Sequence, residues 1–194
     1  MEDSSWQSKL RDALSEMLAE VEVTISEDHL IETPGRIVKM WEECLLGEPD
    51  LDEARKVLKK GFKHDRISQM IHTTGIQFTT WCAHHLVPIL CIGHFAYIPN
   101  GKIVGLSKVI RLIEIVAHRP QVQEVLTDAI THIFWEEMKP LGCGLVVDAQ
   151  HMCMIARGVR KQGTWTRTTS LRGEFLEEPS VRQEFLATVP PVKG

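Results

Sequence analysis

Residues 92–98 have the sequence IGHFAYI, a short run of β-branched and aromatic side chains that is typical of a buried β-strand. The run FTT at residues 78–80 has the same character, and turn residues separate the two runs. We therefore predict two strands between residues 67 and 98, joined by residues 82–88.

Two helical patterns and two further strands follow this pair. Residues 107–118 and 120–138 carry apolar side chains at helical spacing, and the second pattern opens with Pro120, which the first turn of a helix tolerates. Residues 142–157 and 164–175 predict strands bounded by glycine. The order β-β-α-α-β-β predicts an α+β fold, an antiparallel sheet with both helices on one face.

The first sixty residues predict a helical arm. Apolar residues recur near the helical period from Trp6 to Val21. Thr33 and Pro34 predict the start of a second helix, since a hydroxyl cap precedes a proline at the first helical position, and residues 47–49 (GEP) predict its end. We assign residues 1–62 to an N-terminal helical region and 63–194 to the domain that carries the sheet.

The composition narrows the class of protein. The chain has 194 residues and a net charge of −4, whereas a protein that binds the nucleic-acid backbone normally has a basic surplus. The apolar runs are too short to cross a bilayer, and the N-terminus lacks a signal-peptide pattern, so we expect a cytoplasmic protein. Five cysteines without a secretory signal do not favour a disulfide framework.

Two segments carry candidate metal ligands. Residues 81–88 (WCAHHLVP) place Cys82 three positions before His85, a spacing that suits two ligands on one turn. In the predicted strand 142–157, His151 and Cys153 project to the same face. Cys82, His85 and Cys153 would give the three ligands of a catalytic zinc site. A buried thiol pair with ordinary strand histidines explains the spacing equally well.

A cationic segment indicates an anion site. Ser107 is predicted to begin a helix whose first turns contain Lys108 and Arg111, although the helix dipole disfavours cations there. A phosphate would balance this charge, and Arg157, at the end of a predicted strand, could reach the same anion. The alternatives are a solvated basic face with a serine cap and a surface arginine.

Glu124, in the opening turn of the next predicted helix, is a candidate for base recognition. A carboxylate can accept two hydrogen bonds from the N1 and N2 edge of guanine. An acidic residue that favours the helix dipole is the alternative.

The conjunction of these motifs resembles the GTP cyclohydrolase I family, and the resemblance runs from about Glu32 to Leu186. The motifs that carry it are TPGR at 33–36, CAHHLVP at 82–88, AYIP at 96–99, VGLSK at 104–108, RPQVQE at 119–124, HMCM at 151–154 and ARGV at 156–159.

This resemblance implies the tunnelling fold (T-fold), in which β-β-α-α-β-β subunits close a barrel together, usually as a homodecamer of two pentamers with active sites between subunits. It implies conversion of GTP and water to 7,8-dihydroneopterin triphosphate and formate. Carried over by position, Cys82, His85 and Cys153 would hold Zn²⁺, and His84 and His151 would handle protons.

The resemblance also implies a substrate site. Gln123 and Glu124 would read guanine. Ser107, which counts among the catalytic residues, would hold ribose and triphosphate with Lys108, Arg111 and Arg157, and Arg36 would contact phosphate from a neighbouring subunit.

One position departs from the family pattern: Ala83 stands where the family usually has glutamate. Loss of a carboxylate beside the ligands raises a second hypothesis, a GTP- and zinc-binding homologue with reduced or lost turnover. A nitrile reductase of the deazaguanine pathway, which has the same fold, fits the cysteine–histidine set and Ser107-Lys108 less well. A structural zinc module for nucleic acid lacks an obvious fourth ligand and a basic surface.

Overall fold

The computed structural model describes residues 5–21, 30–45 and 51–192. The chain forms two compact units, Met1–Gly47 and Glu48–Gly194. The first unit contains helices α1 (Ser5–Glu20) and α2 (Thr33–Leu45), so the start predicted from Thr33 is confirmed. The end predicted at residues 47–49 lies outside the described residues, and the domain boundary after residue 62 stays a prediction.

The second unit contains the sheet and its helices. In chain order its elements are α3 (Leu51–Lys59), β1 (Phe62–Lys63), β2 (Ile71–Cys82), β3 (Pro88–Ile98), β4 (Lys102–Ile103), α4 (Leu106–Ala117), β5 (Pro120–Gln121), α5 (Gln123–Met138), β6 (Gly142–His151), α6 (Met152–Ile155), β7 (Thr166–Gly173), α7 (Glu174–Glu177) and α8 (Pro179–Ala187).

The main sheet has the order β5-β2-β3-β6-β7. Its four long strands are antiparallel, as predicted, and the two-residue β5 adds a parallel pair at the end of β2. A separate ribbon pairs β1 with β4. The sequence order β-β-α-α-β-β is therefore confirmed for the long elements.

Both faces of β3 are covered, which explains why its sequence does not alternate between apolar and polar residues. On one face, Phe95 and Tyr97 contact Phe134 of α5 with ring centroids 4.7 and 5.1 Å away. On the other face, Phe175 of α7 and Phe185 of α8 pack 5.2 Å apart in a smaller apolar cluster. A strand buried on both sides has a near-continuous apolar sequence.

Three predicted elements have boundaries that were wrong by two residues or more, and two of these elements lie near the candidate ligands. The strand predicted over 142–157 ends at His151, and Cys153 lies in α6, so these two residues do not share a strand face. The helix predicted from Pro120 begins at Gln123, because Pro120 and Gln121 pair with the end of β2. The last strand spans Thr166–Gly173 rather than residues 164–175.

An ionic cluster joins β3, β6 and β7; its members His94 and Asp148 are buried, whereas Arg167 is exposed. The Asp148 carboxylate, 1% exposed, accepts two hydrogen bonds of 2.7 and 2.8 Å from the Arg167 guanidinium. His94 Nε2 lies 3.9 Å from the same carboxylate, and the Gly75 amide donates to His94 Nδ1 at 3.4 Å. Burial lowers the pKa of His94; Asp148 opposes this shift and Arg167 adds to it.

Among the described residues, no helix combines the length and apolar character that a membrane crossing requires.

Candidate active site

Five elements meet at one end of the main sheet. Antiparallel pairing places the end of β2, the start of β3 and the end of β6 together, with Trp81 opposite Pro88 and Ile89 opposite His151. Gln121 of β5 pairs with Cys82, which brings the start of α5 to the same end. Residues far apart in sequence are therefore neighbours here because of strand register.

A single turn connects β2 to β3 and holds the first candidate ligands. The Leu86 amide donates to the Cys82 carbonyl at 2.9 Å, and the Cys82 amide donates to the Val87 carbonyl at 2.9 Å. Leu86 closes the turn in the left-handed region with a φ of 50°. This conformation costs roughly 1–2 kcal/mol for a residue other than glycine. The turn thus fixes His85 relative to Cys82.

The three predicted ligands come together. Donor atoms of Cys82, His85 and Cys153 lie within 4.8 Å of one another, the only such group of three or more found in the part of the chain that the structure describes. Cys82 Sγ is 3.5 Å from His85 Nδ1 and 4.0 Å from His84 Nδ1. The two imidazole rings lie edge to face, with centroids 6.2 Å apart and an angle of 69° between their planes, and the His85 ring is the one that contributes a donor atom to the cluster.

The donor set fits zinc. With Zn–S near 2.3 Å and Zn–N near 2.0–2.1 Å, tetrahedral ligation separates a sulfur and a nitrogen ligand by about 3.6 Å, close to the value between Cys82 and His85. Burial raises the pKa of the Cys153 thiol, and the hydrogen bond with Cys82 raises it further, whereas Arg157 lowers it. Two adjacent thiolates repel each other, and a divalent cation would remove that repulsion.

His151 lies at the end of β6, two residues before Cys153. Its Nε2 atom is 2.8 Å from Oε1 of Gln123, a side chain that is only 1% exposed. Partial burial lowers the pKa of His151, and the charge of Glu124 opposes this shift. The structure therefore places Gln123 against His151, and Glu124 close enough to influence its charge.

Glu124 and Arg157 are both exposed near this end of the sheet. Glu124 is in the first turn of α5, as predicted. Arg157 follows α6 rather than ending a strand, and its charge acts on the Cys153 thiol. Solvent-facing charges of opposite sign thus flank the cluster of donor atoms.

Ser107 and Lys108 lie at the end of α4 that is far from the candidate metal ligands. Helix α4 begins at Leu106 with Gly105 as its N-cap, so Ser107 is within the first turn and is not the cap. The other end of α4 meets the site, because the Thr80 hydroxyl donates to the Ala117 carbonyl at 2.9 Å. At 1.5 Å per residue, Ser107 is about 15 Å from that end along the helix axis.

Arg111 is one turn further along the same helix and is exposed. Arg36 belongs to the first compact unit, where its guanidinium pairs with Glu32 at 2.6 Å and both side chains are 70% exposed. The second unit alone therefore does not gather every predicted substrate residue around Cys82.

Residues 10–190 match the family model described as GTP cyclohydrolase I. The chain belongs to the GTP cyclohydrolase I family. Its fold is the T-fold of that family, as expected from the sequence. The two cysteines and the histidine that the family resemblance assigned to a metal are the residues whose donor atoms converge.

Named relatives have comparable lengths. GTP cyclohydrolase 1 of Hydrogenobaculum sp. (strain Y04AAS1) is 42% identical over 166 residues, covering 85% of this chain and 87% of the relative. GTP cyclohydrolase 1 of Listeria monocytogenes serotype 4b (strain CLIP80459) is 37% identical over 182 residues, covering 93% and 95%. The solved apo form of the archaeosine synthase QueF-Like, with 13% identity, a TM-score of 0.43 and coverage of 54% of this chain and 92% of that one, is too distant to inform function.

The polar residues that anchor α5 were not predicted from the sequence. Thr127 contacts Thr168 at 2.7 Å, and Thr131 contacts Ser170 at 2.6 Å, through hydroxyl groups. With Gln123, these threonines occupy every fourth position of α5 and are buried. That spacing on a helix face was the available signal, because a polar stripe in a buried helix needs partners.

Proposed function

We propose that this protein is a zinc-dependent GTP cyclohydrolase I, which converts GTP and water to 7,8-dihydroneopterin triphosphate and formate. The observation that carries the proposal is the convergence of Cys82, His85 and Cys153 donor atoms in a member of this family. The product would feed tetrahydrofolate, biopterin or deazaguanine biosynthesis, and we place the enzyme in the cytoplasm.

Cys82, His85 and Cys153 are the residues that would hold zinc. Three ligands match a catalytic site rather than a closed structural site, and zinc in such a site acts as a Lewis acid and makes water more acidic. His84, exposed beside Cys82, and His151 would transfer protons at their ring nitrogens, since imidazole exchanges protons near neutral pH.

The substrate would be held from several directions. Glu124, with Gln123 at the start of α5, would recognise guanine. Arg157 would contact the triphosphate beside the metal ligands. Ser107, which we also assign to catalysis, would act on the ribose side with Lys108 and Arg111.

The distance between Ser107 and the sheet end supports a shared site. The C-terminal end of α4 is bonded to Thr80, two residues before Cys82, so the N-terminal residues of this helix point away from the metal cluster of the same chain. A second copy of the chain could supply Ser107, Lys108 and Arg111, and Arg36 would come from a neighbouring subunit. We therefore propose a homo-oligomer, a decamer of two pentamers, with active sites between subunits.

The decisive experiment incubates zinc-loaded protein with GTP and measures formate together with pterin fluorescence after oxidation and dephosphorylation. Both products should form in equal amounts, and Cys153→Ser should form neither. Cys44→Ser is the matched control, because Cys44 is in the other compact unit and outside the cluster. Absence of both products with zinc bound would reject turnover.

Ala83 favours a second candidate, a GTP- and zinc-binding homologue with reduced or lost turnover. Ala83 is exposed in the turn between Cys82 and His84, where a glutamate would face the solvent side of the site. GTP binding in equilibrium dialysis without formate release would support this candidate. In that case Ala83→Glu should increase the rate by about 10- to 100-fold, the usual effect of a group that supports metal ligands.

A further inference from the structure

The side chain of Gln123 connects His151 to two strands. Its Nε2 atom is 3.0 Å from the carbonyl oxygens of Val147 and Thr166 and 3.1 Å from the hydroxyl oxygen of Thr168. Its Oε1 atom is 2.8 Å from Nε2 of His151. Both ends of this buried amide are therefore engaged.

The contacts determine which way the amide points. Backbone carbonyl oxygens only accept hydrogen bonds, so the atom that faces Val147 and Thr166 must be the amide nitrogen of Gln123. The opposite orientation would set Oε1 against two carbonyl oxygens inside the protein, an unfavourable contact between hydrogen-bond acceptors. The atom that meets His151 is consequently Oε1, which is an acceptor.

The main chain at this position is held as well. The Thr127 hydroxyl donates to the Gln123 carbonyl at 2.8 Å and contacts the Thr168 hydroxyl at 2.7 Å. One helical turn later, Thr131 and Ser170 repeat the contact. Because the seam between α5 and β7 is buried at Gln123, Thr127 and Thr131, the amide cannot easily move away from His151.

We propose that Gln123 is a positioning residue that holds neutral His151 as the Nε2–H tautomer. An acceptor at 2.8 Å requires hydrogen on Nε2, which leaves the lone pair of the ring on Nδ1. Nδ1 is then the atom that exchanges protons with the substrate. This last step rests on the proposed function, whereas the tautomer follows from the hydrogen bonds.

The same contacts limit how Gln123 takes part in guanine recognition. Its side chain is 1% exposed and all of its polar atoms have partners within the chain. Gln123 can therefore bind guanine only through its backbone. The exposed carboxylate of Glu124 is the side chain that would bind the base.

Gln123→Met tests the proposal, because methionine has a similar length and shape but lacks the acceptor and the donors. Thr131→Val is the control, since it removes a hydroxyl contact from the same seam and leaves the Gln123–His151 bond in place. Both variants are compared with the wild type as full-length, zinc-loaded protein. The measurements are kcat and KM for GTP and the ¹⁵N solid-state spectrum of labelled histidine, in which the His151 signals are assigned by their loss in His151→Asn.

We expect the wild-type spectrum to show protonated Nε2 and unprotonated Nδ1 for neutral His151, and Gln123→Met to show a mixture. The kcat of Gln123→Met should fall by at least about tenfold, with a smaller change in KM, because the variant loses part of the roughly 10²- to 10⁴-fold contribution of a positioned acid or base. Thr131→Val should keep the wild-type kcat and spectrum.

An Nδ1–H tautomer in the wild type would overturn the proposal, and so would a wild-type kcat in Gln123→Met. If Gln123→Met does not fold, the wild-type spectrum still decides. A wild type that binds zinc but forms no product would reject the proposed function and leave the tautomer to be judged from the spectrum alone.

Discussion

Cys82 Sγ and His85 Nδ1 lie 3.5 Å apart across one hydrogen-bonded turn between β2 and β3. This half of the candidate metal site is local, since the turn alone sets the separation. The other half is not local: Cys153 reaches the cluster only because β6 pairs with β3 and ends opposite its start. A shift in the register between β3 and β6 would therefore separate Cys153 from Cys82 and His85, even with all three side chains intact.

Replacement of Cys153 with serine should abolish zinc retention and turnover together. A serine hydroxyl is a poor zinc ligand, and two remaining ligands do not form a stable site. Zinc per chain is measured by atomic absorption after dialysis against a weak chelator, with Cys44→Ser as the control that keeps zinc. Equal zinc content in wild type and Cys153→Ser would remove this residue from the ligand set.

Glu124→Gln should leave zinc in place and weaken guanine recognition. Loss of a charge-assisted hydrogen-bonded pair corresponds to a decrease of about 10- to 100-fold in kcat/KM for GTP. The preference for GTP over ITP, which lacks the 2-amino group, should shrink by a similar factor. Glu136→Gln, an exposed acid at the far end of the same helix, serves as control. An unchanged preference would assign guanine recognition to other groups.

Two inactive variants should restore activity to each other when they share an oligomer. Cys153→Ser lacks a metal ligand and Lys108→Met lacks a phosphate contact, and the structure separates these residues within one chain. In a random 1:1 mixture formed by co-expression, about a quarter of inter-subunit sites would combine an intact Cys153 with an intact Lys108. Rates near zero in the mixed oligomer would place both residues in a single subunit's site.

Stability should decrease as the pH falls below the ordinary histidine pKa, partly because of His94. Its pKa is lowered in the folded chain, so unfolding takes up a proton once the pH is below 6.5. The free energy of unfolding should then fall by at most about 1.4 kcal/mol per pH unit from this group. Urea titrations at several pH values measure the slope.

In His94→Gln the free energy of unfolding should depend less steeply on pH. The pH dependence that is left in this variant comes from other groups, among them His151, whose pKa is also lowered. Asp148 and Arg167 face His94 and stay in place in this variant. An identical slope in wild type and His94→Gln would show that His94 titrates normally in the folded chain.

The long elements were predictable because their signals are local. The apolar run 92–98 and the helical spacing of 107–118 reflect burial on a fixed period, and the structure confirms the strand and the helix. The turn carrying Cys82 and His85 was predictable for the same reason, since both ligands depend on one short segment.

The errors concern residues whose conformation depends on distant partners. Pro120 satisfies the rule for a helix start, yet pairing with Trp81 draws it into a strand. Cys153 was predicted to lie in a strand, but the strand ends at His151 and Cys153 lies in α6. The second apolar face of the sheet, which α7 and α8 cover, could not be predicted from the sequence. Phe175 and Phe185 are distant in sequence from the β3 and β6 residues that they pack against.

X-ray absorption at the zinc K-edge of the purified, full-length protein tests the central claim most directly. We predict one zinc per chain with two sulfur ligands near 2.3 Å, one histidine nitrogen near 2.0–2.1 Å and one further light atom, and loss of a sulfur ligand in Cys153→Ser. A shell without sulfur, or one unchanged by Cys153→Ser, would contradict the assignment of Cys82, His85 and Cys153 as the metal site.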